Sequence, residues 1–285
     1  MNRIIEKKLL AQNIYLIKVE APRIAASALP GQFLVVINDP KGERIPLTIS
    51  DYDKQAGTVD MVIQQIGVST RLLCSRNVGE CYSSVLGPLG VPSDFVKMSD
   101  EELKGRRYLF VAGGVGTAPV YPQAKYLHER GAMVDVIIGA KTKDLLIFEE
   151  AMSKVCTNLY VCTDDGSYGF GGLVTKKIED LLANGKTYDQ AVAIGPMIMM
   201  KFVTKTLQPS GIPLTVSLNT LMVDATGMCG ACRVTVGGKT RFACVEGPEF
   251  DAYQVDFDEA MRRQGMYRKQ EGDATEKHNH KCNCF

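Results

Sequence analysis

The chain has 285 residues, 45% of them apolar and 23% charged, with a formal net charge of +1. That length accommodates two domains and a small third one, and the near-zero charge provides no global field for gathering nucleic acid or a membrane surface. No apolar run reaches the roughly 18 residues of a spanning helix, and the N-terminal stretch interleaves charges with apolar side chains instead of forming a signal-peptide core.

Residues 1–98 read as short strands at 3–10, 14–20, 33–38, 58–64 and 81–86, punctuated by Pro, Gly, Asn and Asp. Closely spaced antiparallel strands of this kind predict a small β-barrel. Two segments in it carry chemistry. In Arg44-Ile-Pro-Leu-Thr-Ile-Ser50, Pro46 confines its strand to an edge or a bulge. Arg44 can pair with a pyrophosphate, and Thr48 and Ser50 offer hydroxyls to a ring or a ribityl chain; an ordinary barrel strand with a surface Arg explains the same residues. Gly67 then ends a strand, and Ser69 or Thr70 caps a short helix. The free N–H groups of a helix start suit a phosphate, although a capped helix closing the barrel is the plainer account. The run from Gly87 to Gly90 is a rigid closing turn.

From 99 to 218 the rhythm becomes strand–helix alternation. Strands are expected at 108–112, 133–138, 159–162 and 190–194, with helices at 117–130, 173–183 and 197–206. This predicts an α/β domain with a parallel sheet covered on both faces, whose ligands bind at the carboxyl ends of the strands. Small residues cluster there: Gly113, Gly114, Gly116, Thr117 and Ala118 after the first strand, Gly139 after the second, Asp164 and Asp165 after the third, and Gly195, Pro196 and Met197 after the fourth. Bare backbone N–H groups at a helix start are what a pyrophosphate needs. A carboxylate at Asp164 or Asp165 can accept from a ribose 2′-OH and repels a 2′-phosphate, which favours NAD(H) over NADP(H). Lys141 and Lys143 pull the other way.

Residues 219–250 are organised around D-x4-C-x2-C-x11-C, formed by Asp224, Cys229, Cys232 and Cys244. Plant-type [2Fe–2S] sites use C-x4-C-x2-C and a distant fourth Cys; here a carboxylate stands at the first position. Gly227 and Gly230 allow the tight turns of a loop that wraps a cluster, and the Gly237-Gly238 pair between alternating residues predicts a hairpin that returns Cys244 to the C-x2-C pair. Structural zinc on the same ligands stays open. Nine cysteines without an export signal point to reduced thiols and metal ligands, hence to the cytoplasm. Cys74, Cys81, Cys156 and Cys162 lie in or beside apolar runs and are expected to pack as small hydrophobes. Residues 251–285 read as a tail: a short charged helix over 258–270, then a polar, mobile end carrying His278, His280, Cys282 and Cys284, which together look like a metal-binding run. With His otherwise only at 128, on a polar helical surface, catalysis resting on a buried His is not expected.

The R-x-P-L-T-I-S segment, the Gly67…Ser69/Thr70 helix start and the closing Gly87…Gly90 turn resemble the ferredoxin–NADP reductase superfamily. The resemblance implies that Pro46, Leu47 and Thr48 flank an isoalloxazine and that Gly67, Ser69 and Thr70 hold the pyrophosphate of FAD. With the cluster stretch added, the chain up to about residue 258 is similar to the group of dihydroorotate dehydrogenase electron-transfer subunits, sulfide dehydrogenase small subunits and small subunits of NADH-dependent reduced ferredoxin:NADP oxidoreductase. The dihydroorotate type has Cys where Asp224 stands and tends to have Glu at the position of Asn219; the run from Met222 to Arg233, with the segment from Phe242 to Asp251, is closer to the other two. The resemblance implies an oxidoreductase with FAD, a [2Fe–2S] cluster and NAD(H), working in flavin-based electron bifurcation with a larger flavin and iron–sulfur subunit that binds NADP(H), and with ferredoxin reached through that complex.

Overall fold

The structure, a computed structural model, describes residues 2–282, with side chains as far as residue 278. Six strands form one antiparallel sheet: β1 (Ile4–Ala11), β2 (Ile14–Glu20), β3 (Phe33–Ile37), β4 (Ile45–Asp53), β5 (Thr58–Gln64) and β6 (Ser84–Leu89). Their order is β1-β2-β5-β4-β3-β6. Ile17 and Val19 on β2 and Val59, Met61 and Ile63 on β5 recur at a period of two and are fully buried. Helix α1 (Pro22–Ser27) packs Ile24 and Ala25 into the same core, and α2 (Val68–Ser75) adds Leu73 and Cys74. A bridge between Arg3 and Cys81 brings the β1 edge back toward β6.

Strand β4 changes partners along its length. Residues 45–48 pair with β3, and residues 49–53 pair with β5 across an irregularity between Ile49 and Asp51. Pro46, opposite Val35, therefore sits where β4 has a neighbour on one side only, a place that tolerates a residue without an N–H.

The chain continues through α3 (Asp100–Leu103), β7 (Arg107–Gly113), α4 (Thr117–Glu129), β8 (Met133–Ala140), α5 (Glu149–Ser153), β9 (Asn158–Thr163) and β10 (Phe170–Gly171). Next come α6 (Val174–Ala183), β11 (Gln190–Ile194), α7 (Met197–Leu207) and β12 (Leu214–Ser217). The last part holds β13 (Arg233–Val236), β14 (Lys239–Phe242), α8 (Ala243–Glu246), β15 (Glu249–Asp251), α9 (Phe257–Gln264) and α10 (Arg268–Cys282). Seven strands form the second sheet in the order β10-β9-β8-β7-β11-β12-β15, parallel except for the last pair. Along β7, Tyr108, Phe110 and Ala112 enter one core with α4, while Leu109 and Val111 enter the other with α6 and α7. Both faces are covered, which is why the strand reads as an unbroken apolar run. On α4 the buried residues Thr117, Val120, Ala124 and Leu127 recur at steps of three and four, one face of a helix.

The hairpin of β13 and β14 turns at Gly237 and Gly238, whose φ values of 58° and 72° are those of a two-residue primed turn. Val234 of this hairpin, with Phe257 and Ala260 of α9, joins the core beneath α7. Two expectations fail. Cys74, Cys156 and Cys162 are buried, and desolvation pushes each thiol up to about 11, as inert packing residues require. Cys81 is exposed instead, because β6 begins at Ser84 and the cysteine lies in the irregular approach to it. The single helix expected over 258–270 is two helices: α9 stops at Gly265, and residues 268–282 form α10, a stretch without Pro. The metal-binding run expected at His278, His280, Cys282 and Cys284 lies, past the first of these, outside the described side chains. No helix among the described residues is long and apolar enough to cross a membrane.

Glu249 ties the parts together. Its Oε1 accepts from Ser93 Oγ at 3.0 Å, in the connection between the sheets, and from Gln123 Nε2 at 2.8 Å, on α4. Burial pushes this carboxyl up to about 7. Free Glu titrates near 4.3, so between the two values the folded chain holds a proton that the unfolded chain has released. Its contribution to stability is thus complete below about pH 4.3 and is lost as pH rises toward about 7. Glu249→Gln is expected to match wild type at pH 4.5 and to exceed it by roughly 6 °C in Tm at pH 8. The pH slope that remains belongs to Asp60, likewise pushed up to about 7 by burial. Parallel Tm–pH curves for the two proteins would refute the assignment.

Candidate functional site

On β4, Ile45 and Leu47 turn toward the barrel core. Pro46 and Thr48 lie on the opposite face, in register with Val35 and Phe33 of β3. Ser50, further along, is fully buried and its Oγ has no hydrogen-bond partner. The helix start differs in detail from the expected caps. Gly67 is the N-cap residue of α2, and Thr70 reaches back, its Oγ1 accepting from the amides of Gly67 at 3.1 Å and Ile66 at 3.0 Å. Ser69 Oγ donates to the carboxylate of Glu43. A Cβ at Gly67 would meet no atom within 4 Å. The α2 start thus has open space at Gly67, and the Glu43 carboxylate rests on the Ser69 hydroxyl beside it. The guanidinium of Arg44 is directed elsewhere: Nη1 donates to the carbonyl of Asp224 at 2.9 Å.

The second constellation lies at the carboxyl ends of β7, β8 and β11. Strand β7 leads outward to β8 and β9 on one side, while its other neighbour, β11, leads to β12, so the crevice between Gly113 and Gly195 is the switch point of the sheet. Close packing explains most of the glycines here. A Cβ on Gly116 would lie 2.3 Å from the Ile194 carbonyl oxygen, and one on Gly139 would lie 2.4 Å from Val174 Cγ1. A Cβ on Gly195 would lie 3.0 Å from the Gly113 amide nitrogen. Gly114 alone of this group faces open space. Thr117 Oγ1 closes the turn by donating to the Gly114 carbonyl at 2.9 Å. Ala118 packs against Ala11, Ile14 and Val62 at the seam with the barrel. Met197 is buried and Pro196 exposed beside it. Asp164 and Asp165 are both exposed, but they are not equivalent: Asp165 Oδ1 accepts from the Ser167 amide at 3.0 Å, and contacts with Ser167 hold its carboxyl below the usual range. Lys143 lies over the Tyr168 ring at 5.0 Å.

The third constellation is the loop from Asp224 to Cys232 with Cys244. Cys232 and Cys244 are buried with their Sγ atoms 3.2 Å apart, and Cys229 is exposed. They pack, with Ala225 and Ala243, on Phe33 and Val35 of β3. Burial, then the adjacent Cys232 thiol, pushes Cys244 up to about 12. Asp224 uses each carboxylate oxygen once, Oδ1 accepting from the Thr226 amide at 2.9 Å and Oδ2 from the Cys229 amide at 3.0 Å. The Thr226 amide, foremost, holds its carboxyl below the usual range. A carboxylate with lone pairs left over, one exposed thiol and two buried thiols form a donor set that suits iron. Among the described residues no three such side chains surround one point as a single-ion cage does.

Three contributors escaped the sequence reading. Glu43 and Glu249 lie in no periodic pattern, and Gln123 is an inward-facing polar residue on an otherwise apolar helix face; only a polar residue at a core position of α4 marked it in advance.

A six-stranded antiparallel barrel followed by a switch-point parallel sheet, with a cysteine module docked on the barrel, defines an oxidoreductase of the ferredoxin–NADP reductase-like fold. Residues 219–256 match the family described as the iron–sulfur cluster binding domain of dihydroorotate dehydrogenase B, which sets the zinc alternative aside. The chain is 57% identical over 275 residues to an uncharacterized protein of the adh 3′ region of Clostridium beijerinckii, covering 96% of this chain and 93% of that one. It is 43% identical over 271 residues to a homolog of the dihydroorotate dehydrogenase B (NAD(+)) electron transfer subunit from Thermotoga maritima, covering 95% and 93%. A chain from a solved structure of NADH-dependent reduced ferredoxin–NADP oxidoreductase, described for flavin-based electron bifurcation, is 41% identical with a TM-score of 0.89 over 97% of each chain. The chain belongs to the family of dihydroorotate dehydrogenase B-type electron-transfer subunits.

The two kinds of glycine give a direct test. Gly116→Ala drives a Cβ into a backbone carbonyl and is expected to destabilise the fold by about 2–3 kcal/mol. Gly67→Ala meets open space at an ordinary φ of −118°, so its cost stays within about 1 kcal/mol. It should instead weaken retention of a flavin dinucleotide about tenfold, by crowding the phosphate approach. Chemical denaturation and flavin dissociation rates separate the two; equal stability losses would show that both glycines serve packing alone.

Proposed function

We propose that this chain is the electron-transfer flavoprotein subunit of an NADH-dependent reduced ferredoxin:NADP oxidoreductase. One observation carries the reading: the buried pair Cys232 and Cys244 is seated on the face of β3 that also borders Pro46 and Thr48 of β4. In this reading FAD, when bound, would supply the conversion between the electron pair of a hydride and the single electrons that a [2Fe–2S] cluster accepts. The start of α2, at Gly67, Ser69 and Thr70, would hold the pyrophosphate of FAD, and Pro46 and Thr48, on one face of β4, would border its ring with the backbone of Leu47 between them. Gly113, Gly114, Gly116, Thr117 and Ala118 line the approach of NAD(H) with Gly139, Gly195, Pro196 and Met197. Asp164, whose neighbour Asp165 is engaged by its own turn, faces the adenosine ribose. Asp224 and Cys229 supply one side of the cluster, and Cys232 and Cys244 the other. No side-chain acid is required, because hydride transfer between two bound rings depends on proximity and orientation.

The partner in this reading is a larger flavin and iron–sulfur subunit that binds NADP(H), with ferredoxin reached through that subunit, in the reducing cytoplasm. Electron bifurcation belongs to the complex and not to this chain alone. The second reading is an electron-transfer subunit serving dihydroorotate dehydrogenase, which the match over residues 219–256 supports, or a sulfide dehydrogenase; the carboxylate at Asp224 speaks against the dihydroorotate partner.

The deciding experiment is anaerobic, on the chain co-purified with its partner. NADP reduction is expected only when NADH and reduced ferredoxin are supplied together. If NADH alone reduces simple acceptors and ferredoxin adds nothing, the second reading takes its place. For the isolated subunit, NADH should reduce the flavin faster than NADPH at equal concentration, and the reverse order would remove Asp164 from its role. Asp224→Cys should alter the EPR spectrum and potential of the cluster; an unchanged signal would exclude Asp224 as a ligand.

A further inference from the structure

The loop that carries Asp224, Cys229 and Cys232 is held by guanidinium groups from three directions. Arg233 Nη1 donates to the Gly230 carbonyl at 3.3 Å, and Arg263 Nη2, from α9, donates to the Ala231 carbonyl at 3.1 Å. Arg44 Nη1 donates to the Asp224 carbonyl at 2.9 Å. The first two belong to the C-terminal part of the chain. Arg44 comes from the barrel, one residue before β4 begins.

The bond from Arg44 falls on a peptide with unusual geometry. Ala225 has a φ of 62° although it carries a Cβ, and it is buried against Phe33 and Val35. A non-glycine residue in the left-handed region persists only where its surroundings over-determine it. Burial fixes the Ala225 side, and Arg44 fixes the carbonyl on the Asp224 side. That peptide plane in turn sets the direction of the Asp224 side chain, whose carboxylate accepts from the Cys229 amide at 3.0 Å. Just upstream, Glu43 accepts from Ser69 Oγ at the start of α2. Two adjacent residues thus connect the α2 start with the cysteine loop.

We propose that Arg44 is a positioning residue for the iron–sulfur centre, holding the peptide between Asp224 and Ala225 so that Asp224 and Cys229 face the cluster, and linking that geometry to the flavin side of the barrel. The proposal rests on the reading above in which Asp224, Cys229, Cys232 and Cys244 hold the cluster. It assigns Arg44 a partner other than the pyrophosphate. Arg44→Lys keeps the charge but loses the planar fork, and Arg44→Met keeps only the bulk of the stem.

The test uses the full chain purified anaerobically as wild type, Arg44→Lys and Arg44→Met, with flavin-depleted wild type as a reference. Iron and flavin content, the EPR spectrum of the dithionite-reduced protein, the cluster midpoint potential and the rate of iron loss to a chelator are measured. Arg44→Met is expected to show an altered EPR spectrum, a potential shifted to more negative values by loss of a nearby cation, and iron loss about tenfold faster, with Arg44→Lys between it and wild type. These changes must differ from those of flavin-depleted wild type. A cluster in Arg44→Met identical to wild type, or identical to the flavin-depleted reference, overturns the proposal. If Arg44→Met does not fold, Arg44→Lys decides by the same criteria. A wild-type chain without an iron–sulfur signal overturns the reading of the site and this proposal with it.

Discussion

The structure depends on one strand being buried on both faces. Leu34 and Val36 of β3 fill the barrel core, while Phe33 and Val35 receive Ala225, Cys232, Ala243 and Cys244. Each such side chain taken fully out of water contributes about 1.5–3 kcal/mol, so the contact is strong enough to hold the cysteine module without any ion pair. It also removes freedom of placement. The two buried thiols sit beside the strand that pairs with residues 45–48, and the flavin-side and cysteine-side chemistry therefore share a single wall. Electron transfer between centres bound on either side would need no motion of one module relative to the other.

That wall shapes the electrostatics of the cysteine loop. Burial makes the thiolate of Cys244 costly in the chain alone, which is what a value near 12 expresses. Asp224 is treated in the opposite way: amides from Thr226 and Cys229 stabilise its charge. The loop thus offers a ready anion in Asp224 and a reluctant one in the buried Cys244. Metal coordination displaces a thiol proton and would reverse that penalty on Cys244. Guanidinium donors from Arg44, Arg233 and Arg263 meanwhile engage the carbonyls of Asp224, Gly230 and Ala231 along the same loop.

Periodicity made much of this legible. The apolar runs of the parallel sheet, the three-and-four spacing on α4 and the Gly237-Gly238 turn each follow from local rules and fall where those rules put them. Pro46 told correctly that its strand lacks a neighbour, but not that β4 gains one three residues later at Ile49. That change of partner is a property of barrel closure and leaves no local trace. Cys81 looked like a core residue because an apolar run follows it, yet the strand starts beyond it. β15 is three residues long and joins the second sheet antiparallel, a pairing across more than thirty residues of chain that no local pattern announces. Arg44 was read as a cation for a pyrophosphate or as a plain surface residue; the partner the structure gives it, the Asp224 carbonyl 180 positions away, was beyond any spacing argument.

The seam between the two sheets bears on how a reaction proceeds here without an acid or base. Ala118 and Val115, at the start of α4, pack on Ala11, Ile14, Leu16 and Val62 of the barrel together with Ile147 and Phe148. Phe148 holds a φ of 62°, and its ring lies 5.4 Å from that of Tyr121 on α4. A left-handed phenylalanine costs about 1–2 kcal/mol, and the packing at the seam offsets it. The same contact sets the angle between the crevice at Gly113 and Gly195 and the face of the barrel. Glu249 reinforces that angle from the other end, since its single carboxyl binds both the connection at Ser93 and α4 at Gln123. For two planar rings that exchange a hydride, a fixed angle and a dry seam are the catalytic contribution a protein can make.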